Sequence, residues 1–385
     1  MILLCCKNHI ETIRRYRRKF VPFFVKFHCG ILIQRYDKAK QVVQLVYYNK
    51  KGYGMYMKTL EAKIIGVDNG NTETKTRHFN FTSALTSSEY PLHAEANEML
   101  LKWNGKYYRQ EENLKDMKED KTKDDDTYAL TLMAIAKELM YDEPNRNEYF
   151  STVRLAVGLP PQHMTRKDMF KEYFESKGNI ISYEFNGKKF NIAIAGVGVF
   201  SQGIAALFTT NDMVSILEDG ACLIDIGGGT TDVALIRNGK IDRSSVFTIP
   251  KGTLNLVSDI NSRLQEANAE RNFGQIDTFT INNYLSKGKT GALSQEVRGI
   301  IDDVSRTYVN DLLTEIISKV PTIKNTANYF IGGGIKLFRR FIEEDDRFAD
   351  KEFRHYIDDT KANAKGYEQL MIRHMSKESS SAATA

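Results

Sequence analysis

The stretch CLIDIGGGTTDVALI, residues 222–236, decides the fold. It places three glycines, two threonines and two aspartates inside an otherwise apolar run. A dinucleotide fingerprint, G-x-G-x-x-G, would follow a strand and begin a helix. Here residues 233–236 after the glycines favour a strand, and Asn238-Gly239 then indicates a turn. The stretch therefore predicts two strands joined by a tight glycine-rich hairpin, which argues against a Rossmann fold.

Composition divides the chain into a basic leader and a mildly acidic body. Residues 1–56 contain 12 Lys and Arg against two acids, whereas the remaining residues carry a net charge of −5. The leader also holds three of the four cysteines, so no disulfide framework or zinc site is expected in the body. No run of about 18 apolar residues occurs. The basic and apolar regions come in the wrong order for a secretory signal, so we expect a cytoplasmic protein.

The leader has two interpretations. Its break in composition from the body favours upstream sequence that is misannotated, with translation starting at Met55 or Met57. The alternative is a membrane-surface helix, which needs basic residues on one face and bulky apolar residues on the other. Pro22 and Gly30 interrupt such a face. We therefore expect residues 1–56 to be misannotated or disordered, with no membrane contact unless the leader is a real amphipathic anchor.

The body alternates strand and helix patterns, which is typical of an α/β protein. Buried strands are predicted at residues 62–68, 153–161 and 326–331, and residues 183–200 are predicted to form a hairpin that turns at Asn186-Gly187 and runs into a further buried strand. Helices are predicted from residue 127, from a cap at Ser201, and at residues 252–268, 291–319, 335–344 and 359–375. The charge run at residues 112–126 indicates a solvated loop, and the polar tail after residue 375 is expected to be disordered. A strand, a glycine turn and a second strand occur near residues 64–80 and again near 222–240, which suggests a duplicated domain.

Three polar loops fit one task. They are DNGNTETK at residues 68–75, the quoted hairpin, and GGG at residues 332–334. Two hairpin loops that face each other can direct backbone N–H groups and hydroxyls at a polyphosphate from both sides. Asp68 and Asp225 end their strands and suit Mg²⁺, while Lys75 supplies a cation for phosphate oxygens. The third turn precedes a helix, whose N-terminus can contact a diphosphate or sugar.

Taken together, D-x-G-N-x-x-x-K, D-x-G-G-G-T-T-D and G-G-G resemble the motifs of the actin/heat-shock chaperone/sugar kinase superfamily of ATPases. Within it, LAVGLPPQH, FSQGIAALF and ANAKGYEQL are similar to stretches of the ParM/StbA type, the filament-forming plasmid segregation proteins of bacteria. The resemblance covers about residues 57–375 and implies an actin-like ATPase fold, with two duplicated α/β lobes flanking a nucleotide cleft. Residues 57–208 and 336–385 would form the first lobe, and residues 209–335 the second.

The resemblance also implies roles for single residues. Asp68 and Asp225 would hold Mg²⁺. Gln202, at the start of the helix that crosses between the lobes, would orient the water that attacks the terminal phosphate. The residues that would bind ATP or GTP are Asp68, Gly70, Asn71, Thr72, Lys75, Asp225, Gly227, Gly228, Thr230, Thr231, Asp232, Gly332, Gly333 and Gly334.

The function that the resemblance implies is a filament that polymerises with bound ATP or GTP and depolymerises after hydrolysis. Its partners would be further copies of itself and a DNA-bound adaptor protein, with no direct sequence-specific contact to nucleic acid. One alternative is a sugar-kinase-type phosphotransferase, which needs a small-molecule pocket with a carboxylate base, and the sequence offers no second motif of that kind. Another is a membrane-linked scaffold of cell shape or division, which depends on a real amphipathic leader.

Overall fold

The computed structural model describes residues 62–112 except 94, 96 and 97, residues 121–347 except 179 and 289–292, and residues 351–383. Before these it gives the backbone of four strands that form an antiparallel meander. They are β1 (Val21–Phe27), β2 (Gly30–Asp37), β3 (Val42–Asn49) and β4 (Met55–Leu60). Where the leader is described it therefore forms strands, and not the surface helix considered as an alternative. Residues 1–20 lie outside the described residues.

Nine strands form the sheet of the first lobe. They are β5 (Ala62–Asn69), β6 (Glu73–Lys75), β7 (Asn80–Thr82), β8 (Ala84–Ser88), β9 (Leu100–Trp103), β10 (Lys106–Glu111), β11 (Glu148–Leu159), β12 (Ile180–Phe185) and β13 (Lys188–Ser201). Across the sheet they follow the order β7-β6-β5-β11-β13-β12-β9-β10-β8. The central strand β11 runs parallel to β5 and to β13. The carboxyl ends of these three strands therefore meet at one edge of the sheet.

Two helices cover this sheet. Helix α1 (Asp126–Asp142) buries every residue from 127 to 136, because its sequence is apolar or small on almost every side. Helix α2 (Lys167–Glu175) is amphipathic and buries only Phe170 and Phe174. The phenyl ring of Phe174 stacks on the ring of Tyr128 in α1, with the ring centroids 5.8 Å apart. The core of the first lobe thus holds the strand ends in fixed positions.

Five strands form the sheet of the second lobe. They are β14 (Ala221–Ile226), β15 (Thr231–Arg237), β16 (Lys240–Ile249), β17 (Asn328–Ile331) and β18 (Arg354–Tyr356), in the order β16-β15-β14-β17-β18. The hairpin predicted at residues 222–236 is confirmed, because β14 and β15 pair antiparallel with Asp225 opposite Asp232. Asn238 and Gly239 both have positive φ, as the predicted turn into β16 requires.

Most of the helices lie in the second lobe or, like the first one named here, at its junction with the first lobe. They are α3 (Ile204–Leu207), α4 (Met213–Asp219), α5 (Thr253–Arg271), α6 (Thr278–Lys287), α7 (Gln295–Lys319) and α8 (Ile335–Glu344). The predicted helix cap at Ser201 is wrong: Ser201 is the last residue of β13, and the helix that follows has only four residues. Ser201 pairs with Leu159 of β11, and that pairing keeps the backbone extended.

The chain returns to the first lobe later than we predicted. Helix α8 packs Phe338, Phe341 and Ile342 into the core of the second lobe, and β18 extends the second sheet. Residues 336–356 therefore lie in the second lobe. The return is made by helix α9 (Ala362–Ala383), which packs against β5 and α3. Its backbone is helical through Ala383, so a disordered tail from residue 376 is a second prediction that the structure corrects.

Helix α9 approaches its neighbours unusually closely. A Cβ added to Gly366 would lie 1.9 Å from the backbone oxygen of Ala205, and one added to Gly66 would lie 2.0 Å from that of Ala364. Only glycine leaves room for these backbone contacts. The helix thereby lies against the ends of strands from the first sheet.

The two lobes repeat one local pattern. In the first, β5 ends in a polar turn and pairs with β6, with Asp68 opposite Lys75. In the second, β14 ends in a glycine turn and pairs with β15. Each first strand also has a parallel neighbour on its other side, β11 in one lobe and β17 in the other. The predicted α/β fold with two duplicated lobes is confirmed.

Candidate functional site

The first loop, residues 68–75, is a compact turn held by its own backbone. The Gly70 amide donates to the carbonyl oxygen of Asp68 at 3.0 Å, and the Ser83 hydroxyl donates to the carbonyl oxygen of Gly70 at 2.8 Å. A Cβ at Gly70 would lie 2.6 Å from the oxygen of Glu73, so this tight turn requires glycine. Asp68 is buried at the end of β5. Its carboxylate is therefore held in place at the edge of the cleft between the lobes.

The second loop is anchored to the N-terminus of α5. The Gly227 amide donates to the Thr230 carbonyl at 2.8 Å, which closes the hairpin. The amides of Thr253 and Leu254 then donate to the carbonyls of Gly227 and Gly228 at 3.1 and 2.8 Å. These bonds fix the glycine turn from behind and leave its other side facing the cleft.

The third loop, residues 332–334, packs against the second. Gly332 has φ of +94°, and a Cβ there would lie 2.4 Å from the oxygen of Ile226 and 2.5 Å from Asp225 Oδ1. The Gly334 amide donates to the Ile226 carbonyl at 3.0 Å. Helix α8 begins at the next residue. The turn therefore brings a helix N-terminus close to the Asp225 carboxylate.

The three loops line one cavity of about 420 Å³ between the lobes. Every residue proposed from the sequence reaches this cavity except Thr231. Thr231 is fully buried, and its hydroxyl donates to the Lys251 carbonyl at 2.7 Å. Its role is to fix the start of β15, because its side chain points away from the cavity. The structure thus brings together proposed residues from four separate stretches of sequence.

Gln202 lines this cavity. Its amide nitrogen donates to the carbonyl oxygen of Leu159 at 2.8 Å, which ties it to the end of β11. Its side-chain Nε2 donates to Asp68 Oδ1 at 2.9 Å. The side-chain oxygen is an acceptor that can receive a hydrogen bond from a water molecule in the cavity.

Two residues of α9 complete the surroundings of Asp68, and sequence reasoning missed both. Asn363 Nδ2 donates to Asp68 Oδ2, and the Tyr367 hydroxyl donates to Asp68 Oδ1, each at 3.5 Å. Burial, helped by the Asp68 and Asp225 carboxylates, raises the pKa of Tyr367 well above its usual value, so this hydroxyl stays protonated. The motif ANAKGYEQL contains both residues, but only the fold brings them to Asp68.

The electrostatics of the cavity favour a cation. Burial, with the nearby Asp232 and Asp68 carboxylates, raises the pKa of Asp225 to about 7, although Lys75 opposes the shift. Burial also raises the pKa of Asp232, and a hydrogen bond from Thr248 opposes it. Among the residues that the structure describes, no group of three His, Cys, Asp or Glu side chains forms a metal site. A divalent cation here would therefore need further oxygen ligands, which the phosphates of a nucleotide and water can supply.

Thr248 joins the two lobes beside the cavity. Its hydroxyl contacts Asp232 Oδ1 within the second lobe and lies 2.5 Å from Oε1 of Gln162, which follows β11 in the first. A hydroxyl carries one proton, so Thr248 donates to one of these two acceptor oxygens at a time. The contact links the two walls of the cleft at the level of Asp232.

Comparisons with known proteins agree with this geometry. The family model described as the N-terminal domain of actin-like proteins matches residues 66–204. The model described as the C-terminal domain of the archaeal MreB-like actin homologues matches residues 223–344. The chain belongs to the actin-like proteins. Residues 205–222 separate the two matches, and they cover most of the connection between β13 in the first sheet and β14 in the second.

Solved structures share the actin-like fold at low sequence identity. The apo ParM protein of psk41 is 16% identical, with a TM-score of 0.59, and the match covers 82% of this chain and 98% of that one. A 15-stranded ParM filament from Clostridium botulinum is 18% identical, with a TM-score of 0.60 and coverage of 81% and 99%. Bacillus thuringiensis ParM with ATP is 14% identical, with a TM-score of 0.55 and coverage of 81% and 98%.

A curated relative matches over a shorter stretch. The cell division protein FtsA of Neisseria meningitidis serogroup B is 35% identical over 101 residues. This stretch covers 26% of the chain and 23% of the relative, so the chain spans about a quarter of that protein's length. In the part of the chain that the structure describes, no helix has the length and apolar character needed to cross a membrane.

Proposed function

We propose that this actin-like chain is a Mg²⁺-dependent ATPase that assembles into dynamic filaments in the cytoplasm. The observation that carries the proposal is the convergence of the three loops on one cavity, where Gln202 is hydrogen-bonded to Asp68. Among the similar structures, one is a ParM with ATP and another is a ParM filament, which supports ATP as the nucleotide and self-assembly as the outcome.

In this proposal the two hairpin loops bind the phosphates from opposite sides. Glycine backbones at residues 227–228 approach the phosphates closely, and Lys75 supplies positive charge from the first loop. Residues 332–334 and the start of α8 lie on the adenosine side. The cavity of about 420 Å³ is within the usual size range for small-molecule sites.

Asp68 and Asp225 are the residues that would hold Mg²⁺. The fit is supported by the charge of the cavity, because the Asp68 and Asp232 carboxylates both repel that of Asp225 and a triphosphate adds further negative charge. When bound, Mg²⁺ compensates this charge and that of the phosphates. The three hydrogen bonds that Asp68 accepts from Gln202, Asn363 and Tyr367 fix the direction of its carboxylate.

Gln202 positions the attacking water. It cannot remove a proton, but its amide oxygen accepts a hydrogen bond and so fixes where the water lies. Positioning of this kind is sufficient where phosphoryl transfer depends on geometry and electrostatics. Because the Nε2 group is bound to Asp68, the orientation of Gln202 depends on the first phosphate loop.

The test combines assembly and chemistry in one sample. We expect the full chain with ATP and Mg²⁺ to scatter light and to pellet, and to release phosphate as the filaments turn over. A panel of sugars added to the same protein is expected to remain unphosphorylated. Protein that never pellets at any concentration, yet phosphorylates a sugar, would replace the filament function with the kinase alternative.

We further propose that the filaments serve plasmid DNA segregation through a DNA-bound adaptor protein. The similarity of the fold to ParM structures supports this role. The test is co-sedimentation of ATP filaments with any small DNA-binding protein encoded beside this gene, with and without its DNA site. Filaments that pellet alone, and leave adaptor and DNA in the supernatant, would remove the segregation role and keep the ATPase.

A role as a division scaffold is the second candidate. It is supported by the 35% identity to FtsA, a cell division protein, over 101 residues. This role predicts that the full chain binds vesicles of anionic lipid in a flotation experiment. The segregation role predicts that the protein stays with the unbound fraction.

A further inference from the structure

Lys121 lies in the nucleotide cavity although its sequence surroundings predict a solvated loop. It lines the same cavity as Asp68, Asn71 and Lys75. Its ammonium group donates to the backbone oxygen of Asn69, on the first phosphate loop. Burial lowers the pKa of Lys121, and the nearby Asp68 carboxylate opposes the shift. A lysine side chain is therefore directed into the cleft from the charged segment.

Among the residues that the structure describes, Lys121 has no carboxylate partner of the kind that comparable lysines have. Lys75 lies 3.5 Å from Glu73, Lys177 lies 2.6 Å from Asp125, and Lys251 lies 3.5 Å from Asp311. No carboxylate among the described residues lies within ion-pair distance of Lys121. A partly buried ammonium group is stable only when anions compensate it. The Asn69 oxygen supplies only a partial charge, and the Asp68 carboxylate acts on Lys121 from beyond ion-pair distance. An anion in the cavity would supply the rest.

The position of Lys121 identifies which part of a nucleotide it would meet. A smaller cavity of about 160 Å³ adjoins the main one, and Lys121, Asn71, Thr230 and Asp232 line both. Residues 332–334 line the main cavity only. Lys121 therefore lies at the end of the site away from the glycine turn that we assign to the adenosine side. The phosphate at that end is the terminal one.

The loop that carries Lys121 is held from its other side. The Tyr173 hydroxyl donates to the carbonyl oxygen of Asp124 at 2.8 Å, and Lys177 forms its ion pair with Asp125. Both contacts come from the region of α2, and helix α1 begins at Asp126. The loop is therefore fixed at one end while Lys121 extends into the cleft.

We propose that Lys121 is a second phosphate-binding lysine, which contacts the terminal phosphate of a nucleoside triphosphate and so distinguishes it from the diphosphate. This inference rests on the proposed nucleotide-binding function. Lys75 approaches the phosphates from within the first loop, whereas Lys121 approaches across Asn69 from outside that loop. The two lysines meet different phosphates.

The test measures ATP and ADP affinity in the full chain with Lys121→Met, at fixed Mg²⁺ and salt. Loss of one charge-assisted hydrogen bond is expected to weaken ATP binding about tenfold or more, with ADP affinity changed less than about twofold. Lys123→Met is the matched control, because it removes the same charge from an exposed position in the same loop. It is expected to leave both affinities unchanged, and Lys121→Arg is expected to retain most of the ATP affinity.

A second measurement uses the unaltered protein and so does not depend on how a variant folds. Amine labelling followed by mass spectrometry is expected to show that ATP protects Lys121 several-fold, that ADP protects it much less, and that Lys123 reacts equally in all samples. Equal losses of ATP and ADP affinity in Lys121→Met, or no protection by ATP, would overturn the role of Lys121 alone. Wild-type protein that binds no nucleotide would overturn the proposed function itself.

Discussion

Gln202 Nε2 donates a hydrogen bond to Asp68 Oδ1 at 2.9 Å, and this bond joins residues separated by 134 positions in the sequence. It connects the end of β13 to the end of β5, two strands that flank β11. Gln202, which we propose to position the attacking water, is thus held by Asp68, which we propose to bind the metal. A change at either residue is expected to affect the other's task.

Replacement of Gln202 by alanine separates binding from chemistry. We expect Gln202→Ala to slow phosphate release about 100-fold, because a misplaced water loses its alignment with the terminal phosphate. ATP affinity is expected to change little, since the amide acts on the nucleophile. Filaments should form with ATP and persist. Pelleting and phosphate release are measured on one sample, and Gln265→Ala at an exposed position is the control. Filaments that disassemble rapidly without releasing phosphate would contradict the prediction.

Replacement of Asp225 tests the metal. Asp225→Asn keeps the shape of the side chain but removes its charge, so Mg²⁺-dependent hydrolysis is expected to fall to background. The nucleotide-free protein is not expected to lose stability at pH 8, because the change removes a buried charge that Asp232 and Asp68 repel. A titration of hydrolysis against Mg²⁺ concentration checks the loss of activity. Thermal unfolding without nucleotide checks the stability. Exposed Asp219→Asn is the control, and normal turnover in Asp225→Asn would remove this carboxylate from the metal site.

The close packing of α9 predicts opposite effects of two identical substitutions. Gly366→Ala would place a Cβ 1.9 Å from the Ala205 oxygen, so we expect the free energy of unfolding to fall by about 1–3 kcal/mol. ATP affinity should fall as well, since α9 carries Asn363 and Tyr367. Gly299→Ala, in α7 with open space around it, is expected to stabilise the protein by about 0.5–1 kcal/mol. Urea unfolding of both variants checks this, and equal stability of the two would contradict the packing argument.

Glu138 predicts a pH dependence of stability in the first lobe. Its buried carboxylate accepts hydrogen bonds from the His78 amide at 3.0 Å and from His78 Nδ1 at 2.8 Å. Burial alone would raise the pKa of Glu138, but the hydrogen bonds from Thr76 and His78 outweigh it and lower that pKa. The resulting stability is present above the unfolded pKa of about 4.3, and it is lost as pH falls through the lower folded value.

The check is urea unfolding from pH 7 to pH 3 in Glu138→Gln. We expect this variant to lose about 1–3 kcal/mol at pH 7, because a buried charge-assisted hydrogen bond becomes a neutral one. It should lose less further stability than the wild type as the pH falls. Exposed Glu143→Gln is the control. A variant that shows the same slope with pH as the wild type would exclude Glu138 as its source.

The sequence was most informative where a loop's chemistry depends on its own residues. Asp68, Asp225 and the glycines at 332–334 could be proposed as site residues because tight turns and phosphate contacts require particular residues at close spacing, and the structure brings them to one cavity. Asn363 and Tyr367 could not, because nothing local marks a residue that contacts Asp68 almost 300 positions away. The boundary at residue 336 was wrong for the same reason: the pattern of α8 shows an apolar face but not which sheet it covers.

Two other differences arose within the motifs and loops. Thr231 belongs to the motif D-x-G-G-G-T-T-D, but the alternation of side chains along β15 turns its hydroxyl toward Lys251 and away from the cavity. Lys121 belongs to a charge run, and composition alone favours solvent for every residue there. Composition predicts the average exposure of a segment. The direction of one side chain depends on the residues that pack around it, which composition does not give.

The contact of α9 with Asp68 has a consequence for the order in which this protein is completed during synthesis. Asn363 follows Asp68 by 295 residues, which corresponds to roughly 15–60 s of translation at about 5–20 residues per second. All five strands of the second sheet leave the ribosome before α9 does. The first lobe, which begins earlier along the chain, is therefore completed last. A nascent chain acquires its full set of hydrogen bonds to Asp68 only after the second lobe has been synthesised.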